Sequence, residues 1–132
     1  MRIGELAQRS GVEPTTIRYY ERIGLMPDPA RTESGYRDYA EEAADRLGFI
    51  RAAQSVGLSL GEIRETLAFR DRGEAPCRHA AALIERNAAE LRQRIAALQA
   101  MQRDLDRLAR RARSISATGA VPEAAFCHII EG

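Results

Sequence analysis

Apolar residues near the start of the chain follow the spacing of two short helices. Ile3 and Leu6 lie three positions apart, as expected for a helix that buries one face. Gly11 then offers a turn position that tolerates positive φ, and Pro14 suits the first position of a second helix. Gly24 stands where a glycine commonly ends a helix. The pattern predicts a helix-turn-helix.

Two further helices are predicted between residues 40 and 72, and they are expected to pack together as a connector. Gly57 predicts the end of the first helix. Ser59 and Glu62 have the spacing of a capping box, which begins the second helix. In the first helix the predicted stripe comprises Ala43, Leu47, Ile50 and Gln54, with Phe49, Ala53 and Val56 close beside it. In the second helix the apolar side comprises Leu60, Ile63 and Leu67.

Residues 77–112 contain neither Gly nor Pro and are predicted to form one helix. At a rise of about 1.5 Å per residue, this helix would be about 50 Å long. The head formed by the preceding helices is too small to cover so long an apolar stripe. The same helix of a second subunit is therefore expected to pair with it, antiparallel, in a homodimer. The seam repeats every seven residues at Ile84, Leu91, Leu98 and Leu105.

The second helix presents a basic and hydroxylated face. The residues at i, i+3, i+4 and i+7 share this face, whereas Ile17 points toward the first helix. Such side chains suit phosphates and base edges in a DNA major groove, although a plain solvated face is the alternative. The predicted DNA contacts on this helix are Thr15, Thr16, Arg18, Tyr19 and Arg22.

The following loop favours DNA binding over the solvated alternative. Arg31 precedes the run Gly35-Tyr36-Arg37, in which a permissive glycine adjoins an aromatic hydroxyl and a guanidinium. A short β-turn wing that contacts the phosphate backbone would carry these residue types. Arg31, Tyr36 and Arg37 are therefore predicted to contact DNA.

Three stretches resemble the mercury-resistance regulator (MerR) family of bacterial transcription factors: IGELAQRSGVEPTTIRYYERIGL, GYRDY and RLGFIRAAQSVGLSLGEIRETL. The remainder resembles the heavy-metal branch of that family less completely. The resemblance implies a homodimer that binds a promoter with an over-long spacer and works with RNA polymerase. It also implies a switch from repression to activation when effector binding distorts the DNA.

The expected fold class is mainly α, with a winged helix-turn-helix head, a helical connector and a long antiparallel coiled-coil dimerisation helix. The head and connector are assigned to residues 1–70 and a linker to residues 71–76. The dimerisation helix is assigned to residues 77–112. Residues 113–132 are expected to form the C-terminal effector loop and tail.

Charge and composition narrow the functional class. Twenty basic residues against nineteen acidic ones give a net charge of +1, so DNA affinity must come from charge placed on one face. No long apolar run marks a signal peptide or a membrane span, and a cytoplasmic protein without a membrane partner is expected. No Ser-His-Asp order, phosphate-cradling glycine loop or isolated carboxylate pair indicates an enzyme.

The two cysteines are candidate metal ligands. Cys77 opens the long helix, whereas Cys127 and His128 follow its end, so they are expected to meet only across an antiparallel dimer. Two thiolates and an imidazole suit zinc, cadmium, lead or mercury. His79 is at best an accessory, because it points elsewhere along the helix.

Two other readings of the cysteines stay open. Both could be small buried apolar side chains, or they could sense oxidants or electrophiles without a stoichiometric metal. The heavy-metal branch usually has a further cysteine at the start of the C-terminal loop, where this chain has Ala112 and Arg113. This departure leaves the metal and the coordination number open.

Overall fold

A computed structural model describes residues 1–118 and 126–131 of the chain, and the side chain of Thr118 is not included. The chain divides into two compact units, residues 1–87 and residues 88–132. Within the two described ranges, no helix combines the length and apolar character needed to cross a membrane. The elements are α1 (Ile3–Ser10), α2 (Pro14–Arg22), β1 (Ala30–Arg31), β2 (Arg37–Asp38), α3 (Glu41–Ser55), α4 (Leu60–Asp71), α5 (Cys77–Thr118) and α6 (His128–Glu131).

The predicted helix-turn-helix and wing are confirmed. Gly11 has φ 71° and closes α1, its N–H donating to the Ala7 carbonyl at 2.9 Å. Pro14 begins α2, and Gly24 lies just beyond its end with φ 79°. The strands of the wing are antiparallel, with Ala30 opposite Asp38. The fold class is mainly α, as predicted.

The head has one hydrophobic core, to which α1, α2, α3 and α4 all contribute. Leu6, Ile17, Leu47, Ile50 and Ile63 have no exposed surface. Each of these residues comes from the face that the helical spacing predicted to be buried, so the connector helices pack on the helix-turn-helix rather than extend from it.

The predicted inward stripe of α3 is too wide. Gln54, which was placed on the stripe, is exposed. Phe49 and Val56, which were placed close beside it, are 40% and 67% exposed. Both lie at the margin of the stripe, and the core is already filled from that side by Leu47, Ile50 and Ala53. Helical spacing identifies a face but does not say how wide the contact with the neighbouring helices is.

The predicted capping box begins α4. The Ser59 hydroxyl accepts from the Glu62 backbone N–H at 3.1 Å, and the Glu62 carboxylate accepts from the Ser59 N–H at 2.9 Å. Arg86 donates to the same carboxylate at 2.8 Å. The Ser59 N–H, with help from Arg86, lowers the pKa of Glu62 to about 2. This carboxylate therefore ties the start of α4 to the first turns of α5.

The long helix α5 is unbroken for 42 residues and ends at Thr118, six residues beyond the predicted 112. A helix of this length is about 63 Å long at a rise of about 1.5 Å per residue. The extension has a local cause, since residues 113–118 contain no Gly or Pro and Gly119 follows them. The large seam side chains are exposed: Ile84 is 55%, Leu91 57%, Leu98 62% and Leu105 59% accessible.

Candidate nucleic-acid interface and metal ligands

The outward face of α2 carries the side chains that the sequence predicted to read DNA. Thr15, Tyr19 and Arg22 are exposed, and Arg18 is half-buried. The Arg22 guanidinium lies 5.7 Å from the Tyr19 ring centroid, a cation–π distance. Thr16 is also half-buried at the edge of this face.

The wing is a two-residue-strand hairpin whose loop is closed by local hydrogen bonds. Thr32 N–H donates to the Tyr36 carbonyl at 2.8 Å, and Gly35 N–H donates to the Thr32 carbonyl at 2.9 Å. Gly35 has φ 85°, a conformation that favours glycine. Arg31 donates to the Gly35 carbonyl at 2.9 Å, so its guanidinium is held over the loop. Tyr36 is left 58% exposed.

Arginines from the start of α1, from α2 and from both strands of the wing line one shallow cleft. This cleft has a volume of about 360 Å³. Arg2 lies with its guanidinium 4.2 Å from the Tyr36 ring centroid, so the wing tyrosine holds it in place. A cluster of guanidinium groups is a favourable seat for an anionic phosphate. The lining residues are Arg2, Ile3, Arg18, Arg31, Gly35, Tyr36 and Arg37.

A nearly buried carboxylate connects α2 with the wing. The Glu21 side chain is 6% exposed, and its two oxygens meet the Arg37 Nε at 3.3 Å and the Tyr39 hydroxyl at 2.5 Å. Burial of the Tyr39 phenol, together with the hydrogen bond that it donates to Glu21, raises its pKa, so the hydroxyl stays protonated and continues to donate. Arg37, which lines the cleft, is thus attracted to the Glu21 carboxylate as an ion pair.

Sequence reasoning missed Arg2 and Glu21. Arg2 precedes the first helix and belongs to no periodic pattern, whereas Glu21 is an acid within the basic stretch of α2. Glu21 is the single acid in that stretch, and this isolation was the signal in the sequence that could have identified it. For Arg2, only the position of the wing in the folded chain reveals the contact.

Two exposed arginines of the connector helices bind backbone carbonyls at the ends of α1 and α2. Arg51 donates to the Ser10 carbonyl at the end of α1 at 2.7 Å. Arg64 donates to the Ile23 carbonyl just after α2 at 3.0 Å. Each satisfies a helix-terminal carbonyl that has no partner within its own helix.

A third arginine joins three parts of the head. Arg46 is 9% exposed; its Nε donates to the Leu25 carbonyl at 2.9 Å, and its two terminal nitrogens donate to the Asp71 carboxylate at 2.7 and 3.1 Å. The bond from Arg46 lowers the pKa of Asp71. The segment after α2 is thus fastened to the last residue of α4.

A cavity of about 310 Å³ lies between the wing and the connector helices. Its described lining includes Asp28, Asp38, Glu42 and Arg70, but no Ser, Thr, Cys or His.

Cys77 is the first residue of α5, and its thiol is free and exposed. The nearby His79 is directed to α4: its ring centroid lies 4.9 Å from that of Phe69, and its Nε2 lies 3.7 Å from the Glu65 carboxylate. The His79 ring is therefore packed against α4 beside an acidic side chain, and its Nε2 makes no hydrogen bond within the described residues.

Cys127 is free and half-buried, immediately before α6. Its backbone N–H donates to the Glu131 carboxylate at 2.8 Å. The adjoining His128 has its Nε2 2.7 Å from Arg111 Nη2. Within residues 1–118 and 126–131 of one chain, no three His, Cys, Asp or Glu side chains form a group that could hold a metal ion. The predicted ligand set of Cys77, Cys127 and His128, which draws on two subunits, stays a prediction.

Two family models match the chain. The MerR HTH family regulatory protein model covers residues 1–69, and the MerR DNA-binding model covers residues 44–108. The first match covers α2 and the wing, and the second includes all four seam residues of α5.

Relatives with described roles are transcription regulators, as the absence of an enzymatic motif predicted. The transcriptional regulator ZntR of Escherichia coli K12 is 41% identical over 131 residues, which is 98% of this chain and 89% of ZntR. The mercuric resistance operon regulatory protein of Bacillus cereus is 56% identical over 77 residues, which is 58% of each protein. The chain thus matches little more than half of the Bacillus cereus protein.

A solved structure also resembles the chain over nearly its full length. The transcription regulator PbrR691 of Ralstonia metallidurans CH34, in complex with lead(II), superposes with a TM-score of 0.77 at 36% identity. The match covers 99% of this chain and 97% of PbrR691.

Proposed function

Because the chain belongs to the MerR family of helix-turn-helix regulatory proteins, we propose that it is a metal-responsive transcription regulator. It binds promoter DNA as a homodimer and changes transcription when a thiophilic divalent ion binds. Such a regulator acts in the cytoplasm, where the DNA is.

The observation that carries the DNA-binding part is the cleft in which Arg2, Arg18, Arg31 and Arg37 converge beside the exposed face of α2. With a net charge of only +1, the chain has no general attraction for DNA, so a local cluster of cations must supply it. The wing and the cleft take the phosphates, and the α2 face reads the major groove. The contact residues are Thr15, Thr16, Arg18, Tyr19, Arg22, Arg31, Tyr36 and Arg37.

The dimer forms along α5. Ile84, Leu91, Leu98 and Leu105 are each more than half exposed in the single chain. A stripe of exposed leucines and isoleucine at seven-residue spacing is unfavourable in water and is buried by a second copy in antiparallel orientation. A two-fold axis makes the contact the same for both subunits.

The metal ion is held at each end of the dimer by Cys77 of one subunit and Cys127 of the other. Antiparallel association of α5 brings the start of one helix to the end of its partner, which supports the pairing. Two thiolates suit the zinc, cadmium, lead or mercury class of ions. The lead(II) complex of PbrR691 and the mercuric role of the Bacillus cereus relative support this class.

Binding of the ion changes DNA geometry through the linker between α4 and α5. Cys77 lies six residues after Asp71, which Arg46 fastens to the segment following α2. A tie between subunits at Cys77 therefore biases the angle between the two heads. Deforming a promoter spacer costs on the order of a few kcal/mol of free energy. A metal ion that binds the two states of the dimer with different affinities can supply this free energy. RNA polymerase then reads the altered spacer, as the family resemblance implies.

The test begins with operators selected from a random duplex library by the purified protein. Binding of cadmium(II) to the protein–operator complex should change the twist of the bound DNA, as measured by a fluorescent base analogue in the spacer. Cys77→Ser and Cys127→Ser should each abolish this change in twist. DNA affinity should stay within about twofold, because neither cysteine is among the residues proposed to contact DNA. Selection of no sequence by the protein would contradict the proposal.

A thiol sensor without stoichiometric metal is the second candidate, and the two free thiols support it. In that case an oxidant or electrophile would modify the exposed Cys77. Elemental analysis and a thiol count after anaerobic purification separate the two candidates. A metal regulator takes up about one ion per subunit and loses two reactive thiols, whereas a thiol sensor retains both thiols and binds none.

A further inference from the structure

His128 is engaged by an arginine that can only donate. Its Nε2 lies 2.7 Å from Arg111 Nη2. A guanidinium has five N–H donors and no acceptor, so the histidine nitrogen must supply the lone pair. A neutral imidazole has one such lone pair, and the other ring nitrogen then carries the hydrogen. With Arg111 in place, the ring has no lone pair left for a metal ion.

The acid of the same short segment is also engaged. One Glu131 oxygen accepts from the backbone N–H of Cys127 at 2.8 Å and of Phe126 at 3.1 Å. Glu131 therefore organises the turn that carries Cys127, and Arg111 fastens that turn to the C-terminal part of α5. Both polar side chains next to the cysteine serve to position it.

We propose that Arg111 and His128 form a latch that positions the Cys127 thiol, and that His128 donates no electron pair to the metal. The proposal rests on the metal site proposed above and narrows its ligand class. Two thiolates without an imidazole favour soft ions such as mercury(II) over zinc(II), which prefers four nitrogen and sulfur ligands. The latch replaces the predicted role of His128 as a ligand.

The latch is tested with variants that separate hydrogen bonding from ligation. His128→Gln retains a carbonyl oxygen that accepts from Arg111, whereas His128→Leu and Arg111→Leu remove one partner each. Cadmium(II) affinity, measured by competition with a chelating indicator, should fall about tenfold in both leucine variants, as is usual when an outer-shell partner is lost. His128→Gln should bind within about twofold of the native protein, and the thiolate-to-cadmium absorption band should keep its position.

A ligand role for His128 predicts a different pattern. His128→Gln would then bind as weakly as His128→Leu, and Arg111→Leu would bind as tightly as the native chain or more tightly, because the lone pair is released. Either result overturns the latch. Equal binding by all four proteins also overturns it, since the pair would then position nothing.

A readout without metal keeps the latch separate from the proposed function. The rate of alkylation of Cys127, measured in a Cys77→Ser background, should rise in both leucine variants and stay at the native rate in His128→Gln. Unchanged rates in all variants contradict the latch whether or not the protein binds metal. If the native protein binds no ion but the rates change as stated, the metal site fails and the latch stands.

Discussion

The head and the helix α5 use the same amphipathic pattern with opposite results. In the head, Leu47, Ile50 and Ile63 are fully buried by neighbouring helices of the same chain. In α5, Leu91 and Leu98 are 57% and 62% exposed. The difference lies in whether the chain itself supplies a covering surface. The head therefore buries its apolar side chains through its own contacts, whereas the seam of α5 stays exposed in the single chain and is the surface that the proposed dimer would bury.

The largest effect is expected from a charge placed in the seam of α5, which tests whether this stripe is a dimer interface. Leu98→Asp should weaken dimerisation by roughly a hundredfold or more, because each dimer loses two apolar contacts and must place two carboxylates in the interface. Sedimentation velocity over a range of concentrations measures the effect. Ala96→Asp, on the outer face of the same helix, is the matched control and should dimerise normally. A stable Leu98→Asp dimer would refute the seam.

A cavity in the head should have a different signature. Leu47→Ala should lower the free energy of unfolding by about 3 kcal/mol, because it removes a fully buried side chain from a closed core. This loss should not depend on protein concentration. In Leu98→Ala the loss should depend on concentration, as expected when folding is linked to association. Urea unfolding of both variants at two concentrations measures this contrast, which disappears if the seam is not an interface.

The DNA face gives a smaller effect that is confined to the head. Arg37→Ala should weaken operator binding about tenfold and reduce the salt slope by about one unit, since one phosphate contact is lost. Fluorescence anisotropy titrations at several salt concentrations measure both quantities. Arg103→Ala removes the same charge from α5 and should change neither. An unchanged slope in Arg37→Ala removes this residue from the interface.

The smallest expected effect concerns Glu62, whose carboxylate links the start of α4 to the first turns of α5. Its pKa is lowered to about 2 in the folded chain, against about 4.3 when unfolded. A carboxylate whose pKa is lower in the folded than in the unfolded chain stabilises the fold at pH values above its unfolded pKa. This stabilisation is lost as the pH falls through its folded pKa. The difference in Tm between the native chain and Glu62→Gln should therefore be greatest near neutral pH and vanish near pH 2. A difference that is independent of pH contradicts the role of the charge.

Local patterns in the sequence predicted much of this fold. The Ser59 and Glu62 capping box, the glycines after α1 and α2, and the wing were all predictable, because each depends on residues a few positions apart. The end of α5 was missed by six residues, since no Gly or Pro marks a stop before Gly119.

Contacts between distant residues were not predictable. Arg46 and Asp71 are 25 positions apart, and Arg111 and His128 are 17 apart. Neither separation follows a helical or strand period, so only the folded chain identifies these pairs. The sequence predicted that residues of α2 and the wing contact DNA, but it could not show that Arg2 lies in the same cleft as Arg18 and Arg37.

We propose that the metal site is shared between subunits, and mixing two variants tests this sharing most directly. Cys77→Ser and Cys127→Ser each lack one ligand at both ends of a homodimer. After unfolding together and refolding, half of the dimers contain one chain of each kind, and each such dimer has one intact end. The mixture should then bind about a quarter of the native amount of cadmium(II), given a two-fold symmetric dimer. Binding no greater than that of either variant alone would contradict a shared site.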